Sequence, residues 1–137
     1  MKLLIVDDSE FIRDTLVKLL KPVRFLETVY MASDVKEGIE LVTKLRPDAV
    51  ILDIRLPKGI GFDVLDAAKA LNPAPMVIML TNYTIEQYKK KAFEKGADYF
   101  FDKSAEFEKV IEIIDELSVR LVLEKTKQID SQTQDKK

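Results

Sequence analysis

Short apolar runs alternate along this chain with stretches whose apolar residues recur at helical spacing. Leu3 to Val6 is an apolar run closed by Asp7 and Asp8, which predicts a strand buried on both faces. Phe11, Ile12, Leu16, Leu19 and Leu20 then follow a helical period until Pro22 stops it. Phe25 to Met31 predicts a second strand, and Ser33 and Asp34 can cap a helix carrying Val35, Ile39, Leu41, Val42 and Leu45, which Pro47 ends. Ala49 to Leu52 is a third buried strand leading to Asp53, and Ile54 to Gly61, with Pro57, Gly59 and Gly61, reads as a loop. A third helix runs from about Phe62 to Leu71. Met76 to Leu80 forms a fourth strand, and Thr84-Ile85-Glu86-Gln87 has capping-box spacing for a fourth helix that Gly96 terminates. Tyr99 to Phe101 is a fifth strand. The last helix starts near Ser104 and carries Phe107, Val110, Ile111, Ile114, Leu117 and Leu121 on one face; from Glu124 onward the chain is polar.

Five strands alternating with five helices predict a doubly wound α/β domain, because parallel neighbours need crossover connections that cover both faces of the sheet. Five strands fit the flavodoxin-like order 2-1-3-4-5 better than a six-stranded Rossmann order, and ligands in such folds sit beyond the carboxyl ends of the strands. The predicted domain occupies residues 1–122, and residues 123–137 are a polar C-terminal helical extension or a disordered tail.

Composition narrows the chemistry. Of 137 residues, 47% are hydrophobic and 34% charged, as in an ordinary globular domain. Lysine and arginine (22) nearly balance aspartate and glutamate (24), so no net positive field is available to hold a nucleic-acid backbone or an anionic membrane. The absence of cysteine and histidine removes thiolate and imidazole ligands and the commonest general base. Chemistry must therefore come from carboxylates, hydroxyls, amines and a borrowed metal. The apolar start is too short for a signal peptide or a membrane span, which predicts a cytoplasmic protein.

Placed on the predicted sheet, Asp7 and Asp8 close the first strand, Asp53 the third and Thr81 the fourth, while Lys103 follows the fifth. Each has an ordinary alternative: helix capping for the acidic pair, a turn hydroxyl for Thr81, a solvated amine for Lys103. Together they converge on one edge of four adjacent strands. Three neighbouring carboxylates repel one another unless a cation compensates. All-oxygen ligands favour Mg²⁺, and an ammonium and a hydroxyl suit the remaining oxygens of a phosphoryl group. An aspartate can itself be the nucleophile of such a transfer.

These residues resemble the CheY-like receiver domains of response regulators in two-component phosphorelay signalling. The resemblance covers about residues 2 to 122 and is carried by Leu4-Ile5-Val6-Asp7-Asp8, Leu52-Asp53-Ile54-Arg55-Leu56-Pro57, Leu80-Thr81 and the run from Gly96 to Lys103. It implies that Asp53 is the phosphoacceptor, Asp8 a direct Mg²⁺ ligand, Asp7 a ligand through water and the Arg55 backbone carbonyl a further ligand. It also implies that Lys103 pairs with the phosphoryl group, that Thr81 is the switch hydroxyl and that Phe100 is the aromatic whose rotamer follows it. The implied donor is a histidine kinase or a histidine phosphotransfer protein, and the output surface is built from the fourth helix, fifth strand and fifth helix. Such a protein assists its own phosphorylation and dephosphorylation rather than turning over a substrate, and passes its output to another protein.

Two positions depart from the family pattern. Ser104 stands where proline usually follows the lysine, which leaves the Lys103 loop open, and Asn82 stands where a small residue usually follows the threonine, which predicts an altered dephosphorylation rate. Other readings compete. A haloacid-dehalogenase-type phosphatase would need an aspartate at position 55, where the chain has Arg55; a flavin carrier would need a phosphate-cradling loop where it has Asp7-Asp8-Ser9-Glu10; and a degenerate scaffold would lack members of the set. The stripe reaching Leu117, Leu121 and Val122 is either a dimer or partner contact or ordinary core packing.

Overall fold

The computed structural model describes residues 1–135; Lys136 and Lys137, the end of the expected polar tail, lie outside them. The chain runs β1 (Lys2–Val6), α1 (Glu10–Leu20), β2 (Thr28–Ala32), α2 (Val35–Leu45), β3 (Ala49–Leu52), β4 (Arg55–Leu56), β5 (Gly59–Ile60), α3 (Gly61–Lys69), β6 (Met76–Thr81), α4 (Glu86–Glu94), β7 (Tyr99–Asp102) and α5 (Phe107–Asp135). Five strands form one parallel sheet in the order β2-β1-β3-β6-β7, which is the expected 2-1-3-4-5 once the small β4-β5 hairpin is set aside.

Strand alternation divides the core in two, because successive side chains point to opposite faces of a sheet. Leu4, Val6, Val50, Leu52, Val77 and Met79 pack against α2, α3 and α4, whereas Leu3, Ile5, Ala49, Ile51, Ile78 and Leu80 pack against α1 and α5. The central strands are buried on both faces, as their unbroken apolar runs require. Leu117 and Leu121 belong to the second core, while Leu123 faces outward. Among the described residues no helix is long and apolar enough to cross a membrane.

Four local differences from the sequence reading have physical causes. The second strand begins at Thr28 rather than Phe25, because β1 offers its first partner at Lys2 and the Lys2–Thr28 pair sets the register. The loop after Asp53 contains a tight antiparallel hairpin, turned by Pro57 and by Lys58 in a left-handed conformation (φ 64°). No side chain caps α4 at Thr84: the preceding Tyr83 is held by Thr81 and Arg55, and the helix begins only at Glu86. The last helix begins at Phe107 rather than near Ser104, because Ala105 and Glu106 first donate their backbone N–H groups to the Asp102 carbonyl in a turn.

Candidate functional site

Four of the predicted site residues sit where a strand ends. Asp7 follows β1 directly, Asp53 follows β3, Thr81 ends β6, and Lys103 lies one residue beyond β7. The parallel registers align Val6 with Leu52 and Thr81 with Asp102, so the residues that follow emerge on one edge. Asp7, Asp53, Thr81 and Lys103 are all buried, a combination that requires mutual satisfaction of their polar groups.

That satisfaction comes first from Lys103. Its ammonium donates to Asp53 Oδ2 at 2.6 Å and contacts Asp7 Oδ2 at 2.6 Å. The second oxygen of Asp53 accepts the Ile54 N–H at 2.7 Å, and the second oxygen of Asp7 accepts the Ser9 N–H at 2.8 Å. Burial pushes the Asp7 carboxyl up, against the opposing pull of Lys103 and the Ser9 amide. Burial alone would pull the Lys103 ammonium down, but its bonds to Asp53 and Asp7 outweigh it and hold the group above its ordinary value.

Asp8 completes the cluster from the exposed side. One carboxylate oxygen from each of Asp7, Asp8 and Asp53 lies within 4.8 Å of the others. Three carboxylates against one ammonium leave two negative charges, and these all-oxygen donors suit a small divalent cation such as Mg²⁺. The donor set therefore fits the ion that the resemblance implies. The capping alternative for the acidic pair fails: the N-cap of α1 is Ser9, whose hydroxyl accepts from the Ile12 N–H at 3.2 Å.

The other predicted residues lie around this centre. The Thr81 hydroxyl, fully buried, accepts the Tyr83 N–H at 3.1 Å, and the Thr81 carbonyl accepts the Lys103 N–H at 2.9 Å. Phe100 is half-buried and packs against the core on the α2, α3 and α4 side. Arg55 is exposed, with its guanidinium 4.0 Å from the centroid of the Tyr83 ring, and Asn82 is exposed beside Thr81.

Several supporting residues were not legible as such. Arg13 donates to the Asp7 backbone carbonyl at 2.7 Å and so fixes the β1–α1 turn; its only signal was an arginine in the first helix. Gly61 was read as part of a loop, but a Cβ there would strike the Asp53 carbonyl oxygen, so only glycine lets α3 begin so close to Asp53. Tyr83 carried no signal, because its role depends on Arg55, which is distant in sequence.

A family model described as the response regulator receiver domain matches residues 3–115. The chain is 38% identical over 105 residues to a protein-glutamate methylesterase/protein-glutamine glutaminase of Methanococcus maripaludis, covering 75% of this chain and 28% of that protein. It is 32% identical over 114 residues to the sensory transduction protein LytT of Bacillus cereus, covering 83% of this chain and 46% of that protein. The chain thus spans less than half the length of these relatives. Among solved structures, the response regulator domain of Thermotoga maritima CheB superimposes with a TM-score of 0.73 at 29% identity, covering 85% of this chain and 92% of that one. The N-terminal domain of an uncharacterized protein from Wolinella succinogenes gives a TM-score of 0.79 at 31% identity, covering 90% and 98%. With its sheet order, its strand-end cluster and these relatives in agreement, the chain belongs to the response regulator receiver domains of two-component signalling.

Proposed function

We propose that this receiver is a phosphorylation-controlled switch in which Asp53 accepts a phosphoryl group from a histidine kinase or a histidine phosphotransfer protein and output passes through protein contacts. The observation that carries this reading is the Lys103 ammonium bridging the buried Asp7 and Asp53 carboxylates, with Asp8 alongside. Asp7, Asp8, Asp53 and the Arg55 carbonyl would hold Mg²⁺, which when bound supplies positive charge to the oxygens of the transferring group.

In the transfer, an Asp53 carboxylate oxygen attacks phosphorus. A P–O bond forms as the P–N bond to the donor imidazole breaks, and the bonding pair leaves with the imidazole nitrogen. Lys103 then pairs with a phosphoryl oxygen, exchanging one anionic partner for another. Thr81 gives up the Tyr83 amide and donates its hydroxyl to a second phosphoryl oxygen, and Phe100 follows into the space it leaves. Water attack on phosphorus later returns free phosphate and the Asp53 carboxylate.

The conformational consequence falls on α4, β7 and α5. Ala92 is the sole fully buried residue of α4, so this helix has the least packing to lose when the neighbouring Thr81 strand end rearranges. The test is incubation of the protein with acetyl phosphate and Mg²⁺. A label that needs Mg²⁺, is released by hydroxylamine and is abolished by Asp53→Asn supports the reading. Labelling of the Asp53→Asn protein at the wild-type level overturns it.

A further inference from the structure

Lys103 must deliver one ammonium to two carboxylates at 2.6 Å, yet it lies beyond the last strand residue, and one ladder-like bond, its N–H to the Thr81 carbonyl, ties its backbone to the sheet. A lysine stem has four rotatable bonds, so where its tip falls depends on how firmly its backbone is held. The holding comes from Asp102. Its Oδ1 accepts both the Ser104 N–H at 2.9 Å and the Ser104 hydroxyl at 2.7 Å, closing a turn that spans Lys103. Its carbonyl accepts the Ala105 and Glu106 N–H groups at 3.2 and 2.9 Å, and its own N–H donates to Glu106 Oε1 at 3.0 Å. Glu106 is held in turn by Lys109, 2.9 Å from Oε2.

We propose that Asp102 is a positioning residue for phosphoryl transfer, acting through the turn it forms with Ser104 to aim Lys103 at Asp53 and Asp7. The hydrogen bonds of Asp102 run to Ser104, Ala105 and Glu106, so it reaches the site through the backbone on either side of Lys103. The Ser104 hydroxyl and amide thereby give the turn the rigidity that the sequence alone left open. This inference rests on the reading of Asp53 as phosphoacceptor.

The experiment compares the 137-residue wild type, Asp102→Ala, Asp102→Asn and Ser104→Ala for the rate of Mg²⁺-dependent labelling by acetyl phosphate, and for Mg²⁺ affinity by calorimetry. Misplacing a catalytic group by a fraction of an ångström predicts labelling slowed about tenfold in Asp102→Ala. Asp102→Asn keeps an oxygen acceptor for Ser104 and stays within about twofold of wild type. Mg²⁺ affinity in Asp102→Ala stays equal or rises, because a loosened Lys103 competes less for the carboxylates; a merely structural lesion would weaken Mg²⁺ binding together with the rate. Wild-type rates in Asp102→Ala, equal slowing in Asp102→Asn, or weakened Mg²⁺ binding overturn the positioning role. Should Asp102→Ala not fold, Ser104→Ala decides, with slower labelling expected and an unchanged rate contradicting it. If the wild type itself takes no label, the proposed function fails instead, so the two failures are distinct.

Discussion

Replacing Lys103 by methionine isolates the electrostatic logic of the site, because it keeps an unbranched stem and removes the charge that joins Asp7 and Asp53. Removing one partner of a buried ion pair costs about 3 to 5 kcal/mol, since the other charge stays buried and uncompensated. The lower end, about 3 kcal/mol, applies here: Asp7 is already pushed up by burial and can take a proton, which caps the penalty. Unfolding entropy of about 2.1 cal/mol/K per residue gives this chain about 0.29 kcal/mol/K, so the expected fall in Tm is about 10 °C. The sign with pH follows from the same carboxylate. Its folded value lies above its ordinary one, so its ionisation opposes folding as pH rises through that interval, and more so without Lys103. The deficit of the variant is therefore largest near neutrality and shrinks on acidification. Added Mg²⁺ should raise its Tm more than that of the wild type, because no ammonium competes for the carboxylates. Thermal unfolding followed by circular dichroism, in chelator and in Mg²⁺ at several pH values, measures all three effects. A variant as stable as wild type in chelator at neutral pH, or a deficit that does not shrink in acid, would refute the reasoning.

Gly61→Ala should destabilise the fold by about 1 to 3 kcal/mol and slow Asp53 labelling, because the added methyl meets the Asp53 carbonyl rather than a side chain that can give way; urea unfolding and labelling rates check it, and a neutral effect on both counts against the close approach. The Asp34 side chain caps α2 by accepting the Glu37 N–H at 2.8 Å, which, with Lys58 nearby, holds its carboxyl below the ordinary value. Its stabilisation is present above the ordinary carboxylate range and lost as pH falls through the lowered value, so the gap in urea midpoint between wild type and Asp34→Ala should close in acid; a gap independent of pH contradicts it. Asn82, exposed beside Thr81, should change the lifetime of the phosphorylated form relative to Asn82→Ala, read as loss of label after the phosphodonor is removed; equal lifetimes dismiss that role.

The sheet order and the positions of Asp7, Asp53, Thr81 and Lys103 were legible because they depend on strand ends, and apolar runs such as Ala49 to Leu52 mark strand ends clearly. Asp8 differed from Asp7 in a way no pattern revealed: one is exposed and the other buried, although both follow the same strand. What stayed hidden rests on contacts between distant segments or on backbone geometry. The Arg55–Tyr83 stack joins residues 28 apart in sequence, and the need for glycine at position 61 arises from the approach of α3 to the Asp53 carbonyl. Thr84 misled because a capping box is a local signal, and here Tyr83, committed to Thr81 and Arg55, sets how the chain enters α4. Ser104 could be read as a departure, but its bond to Asp102 depends on the turn into α5.

The central claim is that Asp53 is the phosphoacceptor, and intact-mass spectrometry after exposure to acetyl phosphate tests it most directly. The predicted result is the addition of one phosphoryl group to the wild type with Mg²⁺ present, its absence in chelator, its absence from Asp53→Asn, and its location on the peptide containing Asp53. Addition that persists in Asp53→Asn, or that maps to another peptide, would contradict the account.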